Sequence, residues 1–133
     1  MADVDAALIG AESEPATFEV EKGAIVKFAE AIGDPHPDYR AGTAAPPTFP
    51  TTFRMAMPGL AELDPARFLH GEQEYAYARP IRAGDRITCV ARIASVTEKE
   101  TRVGKAVFVV AEIDGRDEQG EPVFTGRTTL LLR

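Results

Sequence analysis

Apolar residues recur along this chain at two spacings, and each spacing predicts a different element. Thr-Phe-Glu-Val at 17–20 alternates and reads as a short strand, broken by Glu21-Lys22-Gly23. Ala24, Ile25, Phe28, Ala29 and Ile32 then recur at three and four, which puts them on one face of a helix over 24–32. Gly33 suits the left-handed residue after a helix, and Pro35 and Pro37 prevent its resumption, so 34–43 is expected to be an irregular loop. A rigid lead-in, Ala45-Pro46-Pro47-Thr48-Phe49-Pro50, precedes the segment 51–63. Its Phe53, Met55, Ala56, Met57, Leu60 and Leu63 predict a buried helix, ended or kinked at Pro58-Gly59. After Arg67 the period becomes two. Strands are expected over 71–79, with Tyr75 and Tyr77 on one face, over 86–97, over 104–113 with Val107, Val109, Ala111 and Ile113 together, and over 123–132. Turns fall at Pro80 with Arg82-Ala83-Gly84-Asp85, and from Asp114-Gly115 through Gln119-Gly120.

These elements make an α+β chain in which an antiparallel sheet of about five strands curls around one central helix. Its edge strands would be hidden by pairing two such sheets in a dimer. At 133 residues there is room for one core: residues 1–16 read as an N-terminal extension and 17–133 as a single domain. Hydrophobic residues at 44% and charged ones at 27% fit a folded chain. A formal charge of −6, with no cluster of Lys and Arg, argues against nucleic acid as a partner. Cys89 stands alone, so no intramolecular disulfide and no metal-ligand spacing is present, which suits a reducing cytoplasm. Residues 1–10 lack the basic start and apolar centre of a signal peptide, and no run is apolar for long enough to span a bilayer. No metal, cofactor or membrane partner is expected.

Four blocks carry more specific information: Phe28 through Gly33-Asp34-Pro35-His36-Pro37-Asp38-Tyr39; Ala45-Pro46-Pro47-Thr48-Phe49; His70-Gly71-Glu72-Gln73-Glu74-Tyr75; and Arg79-Pro80-Ile81-Arg82-Ala83-Gly84-Asp85. In this order they resemble the MaoC-like dehydratases, in particular the N-terminal-type, accessory domains of that family, over nearly the whole chain. The resemblance implies a hot-dog fold. It also implies a substrate: 3-hydroxyacyl thioesters of coenzyme A or acyl carrier protein, dehydrated to trans-2-enoyl thioesters or formed by the reverse hydration.

That chemistry needs a base for the C2 proton, an acid for the departing hydroxyl and a donor for the thioester oxygen. Active family members carry a loop G-D-x-N-P-x-H, and a following A-H-G-M-F whose glycine amide supports the oxyanion. Asp34 matches the aspartate, His36 falls on the asparagine that braces the turn, and Tyr39 replaces the histidine. Pro47 replaces the glycine, flanked by Thr48 and Phe49. A phenol, with an ordinary pKa about 10, is a poor acceptor near neutral pH, and proline has no N–H to donate.

The resemblance therefore implies a substrate-binding, catalytically incomplete subunit, with Tyr39, Pro47, Thr48 and Phe49 shaping the acyl site and a sister subunit supplying the complete loop. Two alternatives stand beside it. One is a self-sufficient homodimeric dehydratase or thioesterase using Asp34 with His36 or His70; the other is a non-catalytic acyl-thioester binding module. Tyr75 and Tyr77 read as sheet packing, Met55 and Met57 as core, Cys89 as a small buried hydrophobe, and Arg79 and Arg82 as solvated turn charges.

Overall fold

In the computed structural model, which describes residues 4–60 and 63–133, the elements run β1 (Ala16–Glu19), α1 (Lys22–Ile32), α2 (Pro37–Arg40), β2 (Phe68–Tyr77), β3 (Arg86–Thr101), β4 (Gly104–Arg116) and β5 (Pro122–Leu132). The strands form one antiparallel sheet in the order β1-β3-β4-β5-β2. Helix α1 starts earlier than its periodicity suggested, with Gly23 in its first turn, where a backbone amide needs no intrahelical acceptor. It ends at Gly33, whose φ of 69° is left-handed; the amides of Gly33 and Asp34 close the helix onto Glu30 O at 3.1 Å and Ala29 O at 3.0 Å.

Alternation decides what each strand buries. Ile87, Cys89, Ala91 and Ile93 of β3 have no exposed surface, as do Val109 and Ala111 of β4. One row of cross-strand partners reads Ala16, Cys89, Gly115, Phe124, Tyr77, and the next reads Ala91, Ile113, Gly126, Tyr75. Gly115 therefore lies within β4, not in the turn expected from Asp114-Gly115. Its missing side chain leaves room for the Phe124 ring, which a Cβ there would meet at 2.3 Å. The tight turn lies further on, where Asp117 Oδ1 accepts the amides of Gln119 and Glu121, each at 3.0 Å.

Two apolar clusters fill the inner face. Ile25 of α1 packs with Val20, Ala45, Phe49, Ile81, Ile87, Cys89, Val123 and Phe124, while Leu60 packs with Val4, Ile93, Val107, Val109, Ala111 and Leu132. The segment joining them is where the sequence predicted a buried helix over 51–63, and that helix does not form. Phe49–Thr52 is a single 3-10 turn, 53–57 has no regular structure, and Ala61 and Glu62 lie outside the described residues. The reasons are local. The Thr51 and Thr52 hydroxyls bond back to the carbonyls of Thr48 (2.8 Å) and Phe49 (2.9 Å), an alternative to helical hydrogen bonding. Pro58 removes an amide and disfavours helical geometry at Met57. The apolar residues are instead buried at every second position: Phe53, Met55 and Met57 are half-buried while Arg54 and Ala56 are exposed. The Phe53 ring stacks on Phe18 of β1, centroids 4.6 Å apart. The helix that packs on the sheet is thus α1.

Residues 4–13, set apart as an extension by the sequence, pack along β3. Val4 is buried, Gly10 N donates to Ile93 O (2.8 Å), Ile93 N to Ala11 O (3.0 Å) and Ser13 N to Ala91 O (2.8 Å). Together with β1 they cover that edge of the sheet. Among the described residues, β2 pairs with β5 alone, so its other edge is open. No helix among the described residues is long and apolar enough to cross a membrane.

Candidate functional site

The loop after α1 is closed by its own polar groups. Asp34 Oδ1 accepts the amide of His36 (3.0 Å), and Asp34 O accepts from Arg40 Nε (2.8 Å). The fold thus uses the Asp34 carboxylate as a turn brace. His36 caps the short α2: its Nδ1 accepts the Asp38 amide at 3.2 Å, and its ring stacks on Tyr39 with centroids 4.5 Å apart and planes 28° from parallel. An Nδ1 that accepts this amide has its lone pair directed at the backbone. The lone pair that could act as a base is occupied by the backbone.

Beyond the loop, the chain runs back beside the segment that follows β2. Ala45 N donates to Ile81 O at 2.8 Å, and Ala44 bridges to Arg82. This brings Pro47 to the end of β2, where the Tyr77 hydroxyl donates to Pro47 O. Between the loop, the 44–47 segment and the end of β2 opens a cavity of about 480 Å³, whose walls include His36, Asp38, Tyr39, Pro47, Tyr77 and Arg79. Burial pushes the Tyr77 phenol upward in pKa, and the neighbouring Tyr75 and Tyr39 add to the shift, so Tyr77 remains a donor through neutral pH. Arg79 is committed elsewhere. It gives Asp85 two hydrogen bonds (2.8 and 3.3 Å) and lies 3.6 Å from Asp117, while Asp85 Oδ2 also accepts the Arg82 amide at 2.8 Å. This explains the Arg79-to-Asp85 block as a brace that fixes the turn behind the cavity.

Of the residues singled out from sequence, the fold brings His36, Tyr39 and Pro47 together in one cavity wall. It does not bring the others there. Asp34 does not border the cavity, Thr48 is exposed, and Phe49 is buried in the first apolar cluster, edge-on to Phe28 (5.6 Å) and Phe53 (5.8 Å). His70 lies near the start of β2, away from the loop, with Nε2 3.0 Å from Gln73 Oε1. Sequence reasoning missed Tyr77. The signal available was its place as the last inward residue of a strand that ends just before a Pro-containing turn. A larger hollow, about 620 Å³, lies over the outward face of the sheet; Arg92, Arg127 and Glu112 there pair with one another at 3.0 and 3.8 Å, and none of the loop residues borders it.

The match to known proteins is extensive. The family described as FAS1-like, dehydratase domain region, matches residues 7–126. A UPF0336 protein of Streptomyces avermitilis is 36% identical over 147 aligned residues, spanning 98% of this chain and 95% of its own. Among solved structures, the C-terminally truncated HadBC (3R-hydroxyacyl-ACP dehydratase) complex of Mycobacterium tuberculosis superposes with a TM-score of 0.76 at 26% identity, covering 97% of this chain and 98% of the other. A MaoC-like dehydratase from Rhodospirillum rubrum follows with a TM-score of 0.69 at 20% identity, covering 99% and 94%. The hot-dog fold expected from the sequence is the fold this chain has, shared with the MaoC-like dehydratase of Rhodospirillum rubrum, and the chain belongs to the FAS1-like dehydratase-region family.

Proposed function

We propose that this chain is the substrate-binding, catalytically incomplete subunit of an (R)-specific 3-hydroxyacyl-thioester dehydratase, acting on coenzyme A or acyl carrier protein thioesters beside a sister subunit that carries the complete loop. One observation carries the reading. Where the reaction needs an imidazole and a backbone donor, this cavity presents Tyr39 and Pro47, and its one imidazole, His36, has its lone pair bound to the Asp38 amide. Absence of an oxyanion donor costs about 3 kcal/mol in the transition state, and absence of the general base a further factor of about 10²–10⁴ in rate. Likeness to a subunit of the HadBC complex supports a heteromeric arrangement, and the open edge of β2 offers backbone groups to a partner's sheet.

The test is to assay enoyl-thioester hydration by the purified chain, by a sister subunit with an intact G-D-x-N-P-x-H loop, and by the two combined. The chain alone is expected to be silent, and to raise the sister's rate or change its chain-length preference. Turnover by the chain alone that disappears in Asp34→Asn would establish the self-sufficient homodimer instead. Tight acyl-thioester binding without effect on any sister enzyme would make it a binding module.

A further inference from the structure

Two polar side chains at the cavity wall, Tyr77 and Arg79, have their donors engaged, and the Tyr39 hydroxyl does not. Tyr77 gives its hydroxyl hydrogen to Pro47 O, Arg79 is held by Asp85 and Asp117, His36 accepts at Nδ1, and the Asp38 carboxylate can only repel a carbonyl oxygen. The Tyr39 hydroxyl, by contrast, makes no hydrogen bond among the described residues. Its ring is nonetheless fixed, stacked on His36 and carried on the α2 turn, whose amide at Tyr39 bonds His36 O at 3.1 Å. A phenol is a donor as well as an acceptor, so the residue unsuited to removing a proton is suited to giving a hydrogen bond.

Resting on the acyl-thioester reading above, we propose that Tyr39 Oη donates to the thioester carbonyl oxygen of the bound acyl group, standing in for the donor that Pro47 cannot supply. Its orientation is set before the ligand arrives, so little side-chain freedom is given up on binding. The residue thereby selects a thioester from an otherwise equal thioether, and it does so without taking part in proton transfer.

The experiment compares the affinity of the full chain, alone and with its sister subunit, for octanoyl-pantetheine and for S-octyl-pantetheine, which lacks the carbonyl. Pantetheine is common to both carriers; repeating the pair on coenzyme A and on acyl carrier protein separates a carrier preference from the carbonyl effect. Tyr39→Phe keeps the ring and its stack, so its melting curve should match the parent. The thioester-to-thioether affinity ratio should fall about fivefold in Tyr39→Phe, with thioether affinity unchanged. In an isotope-edited infrared spectrum, the bound ¹³C=O stretch should lie lower in the parent than in the variant. An unchanged ratio in Tyr39→Phe, or the same fall in His36→Gln instead, would overturn the assignment while leaving the subunit reading intact. If neither probe binds the parent in either form, the acyl-thioester reading itself fails and this assignment goes with it.

Discussion

Gly115→Ala tests whether the glycines of the sheet are there to admit aromatic rings. An added Cβ would lie 2.3, 2.6 and 3.0 Å from Cε1, Cδ1 and Cζ of Phe124. Carbon atoms pack at about 3.5–4.0 Å, so the ring would have to retreat by more than about 1 Å. It has nowhere to go. Phe124 is 2% exposed, and its centroid is 6.1 Å from each of Phe53, Tyr75 and Tyr77. Overpacking of this kind costs about 1–3 kcal/mol, while replacing a strand glycine by alanine returns about 0.5–1 kcal/mol of backbone entropy. The net expectation is a loss of about 1–2 kcal/mol. In urea, with a slope of about 1–3 kcal/mol per molar, the midpoint should fall by about 0.5–1 M. Protein concentration must be held constant, because pairing between subunits shifts apparent stability. Phe124→Leu provides the internal control: in that background Gly115→Ala should be close to neutral, and the difference between the two backgrounds measures the coupling. A midpoint that stays put or rises in the parent background would refute the reasoning.

Two further outcomes follow from the packing. Asp85→Ala removes the acceptor of two guanidinium hydrogen bonds and of the Arg82 amide, with both side chains less than a third exposed; thermal unfolding should report a loss of about 2 kcal/mol, and Asp85→Asn, which keeps an acceptor, a smaller one. Burial pushes the Cys89 thiol up from 9.0 to about 12, with Asp114 adding to the effect, and pushes the Tyr75 phenol up from 10.0 to about 12. Each group is neutral when protonated, so the fold holds its proton more tightly than the unfolded chain does. That contribution is complete below pH 9 and is lost as pH rises toward about 12. Denaturation midpoints should accordingly be insensitive to these groups from pH 7 to 9 and then decline, and iodoacetamide should label Cys89 only in the unfolded protein.

Short-range physics explains what was legible. The helix face of Ile25 and Ala29, the left-handed stop at Gly33, and the alternation of Ile87, Cys89, Ala91 and Ile93 depend on neighbours within a few residues, and each appears in the fold as the sequence predicts. The turn at Asp34 was equally legible, because Gly33, Pro35 and Pro37 are breakers that act on their immediate neighbours. The segment after Pro47 was not. Phe53, Met55 and Met57 satisfy a helix that is apolar all round and an extended run buried on one side, and nothing within the segment itself fixes the choice between them.

Sequence alone determined the strands and the first helix, since periodicity and turn chemistry act locally. Tertiary structure decided the rest. A connection between two apolar clusters gains about 3.3 Å per residue when extended and only about 1.5 Å as a helix, and the segment between Phe49 of one cluster and Leu60 of the other has no regular structure over 53–57. Long-range pairing likewise turned Gly115 from a turn residue into space for a ring, sent Phe49 to the core and carried Tyr77 to Pro47. Each of those outcomes depends on a partner distant in sequence, which no local pattern encodes.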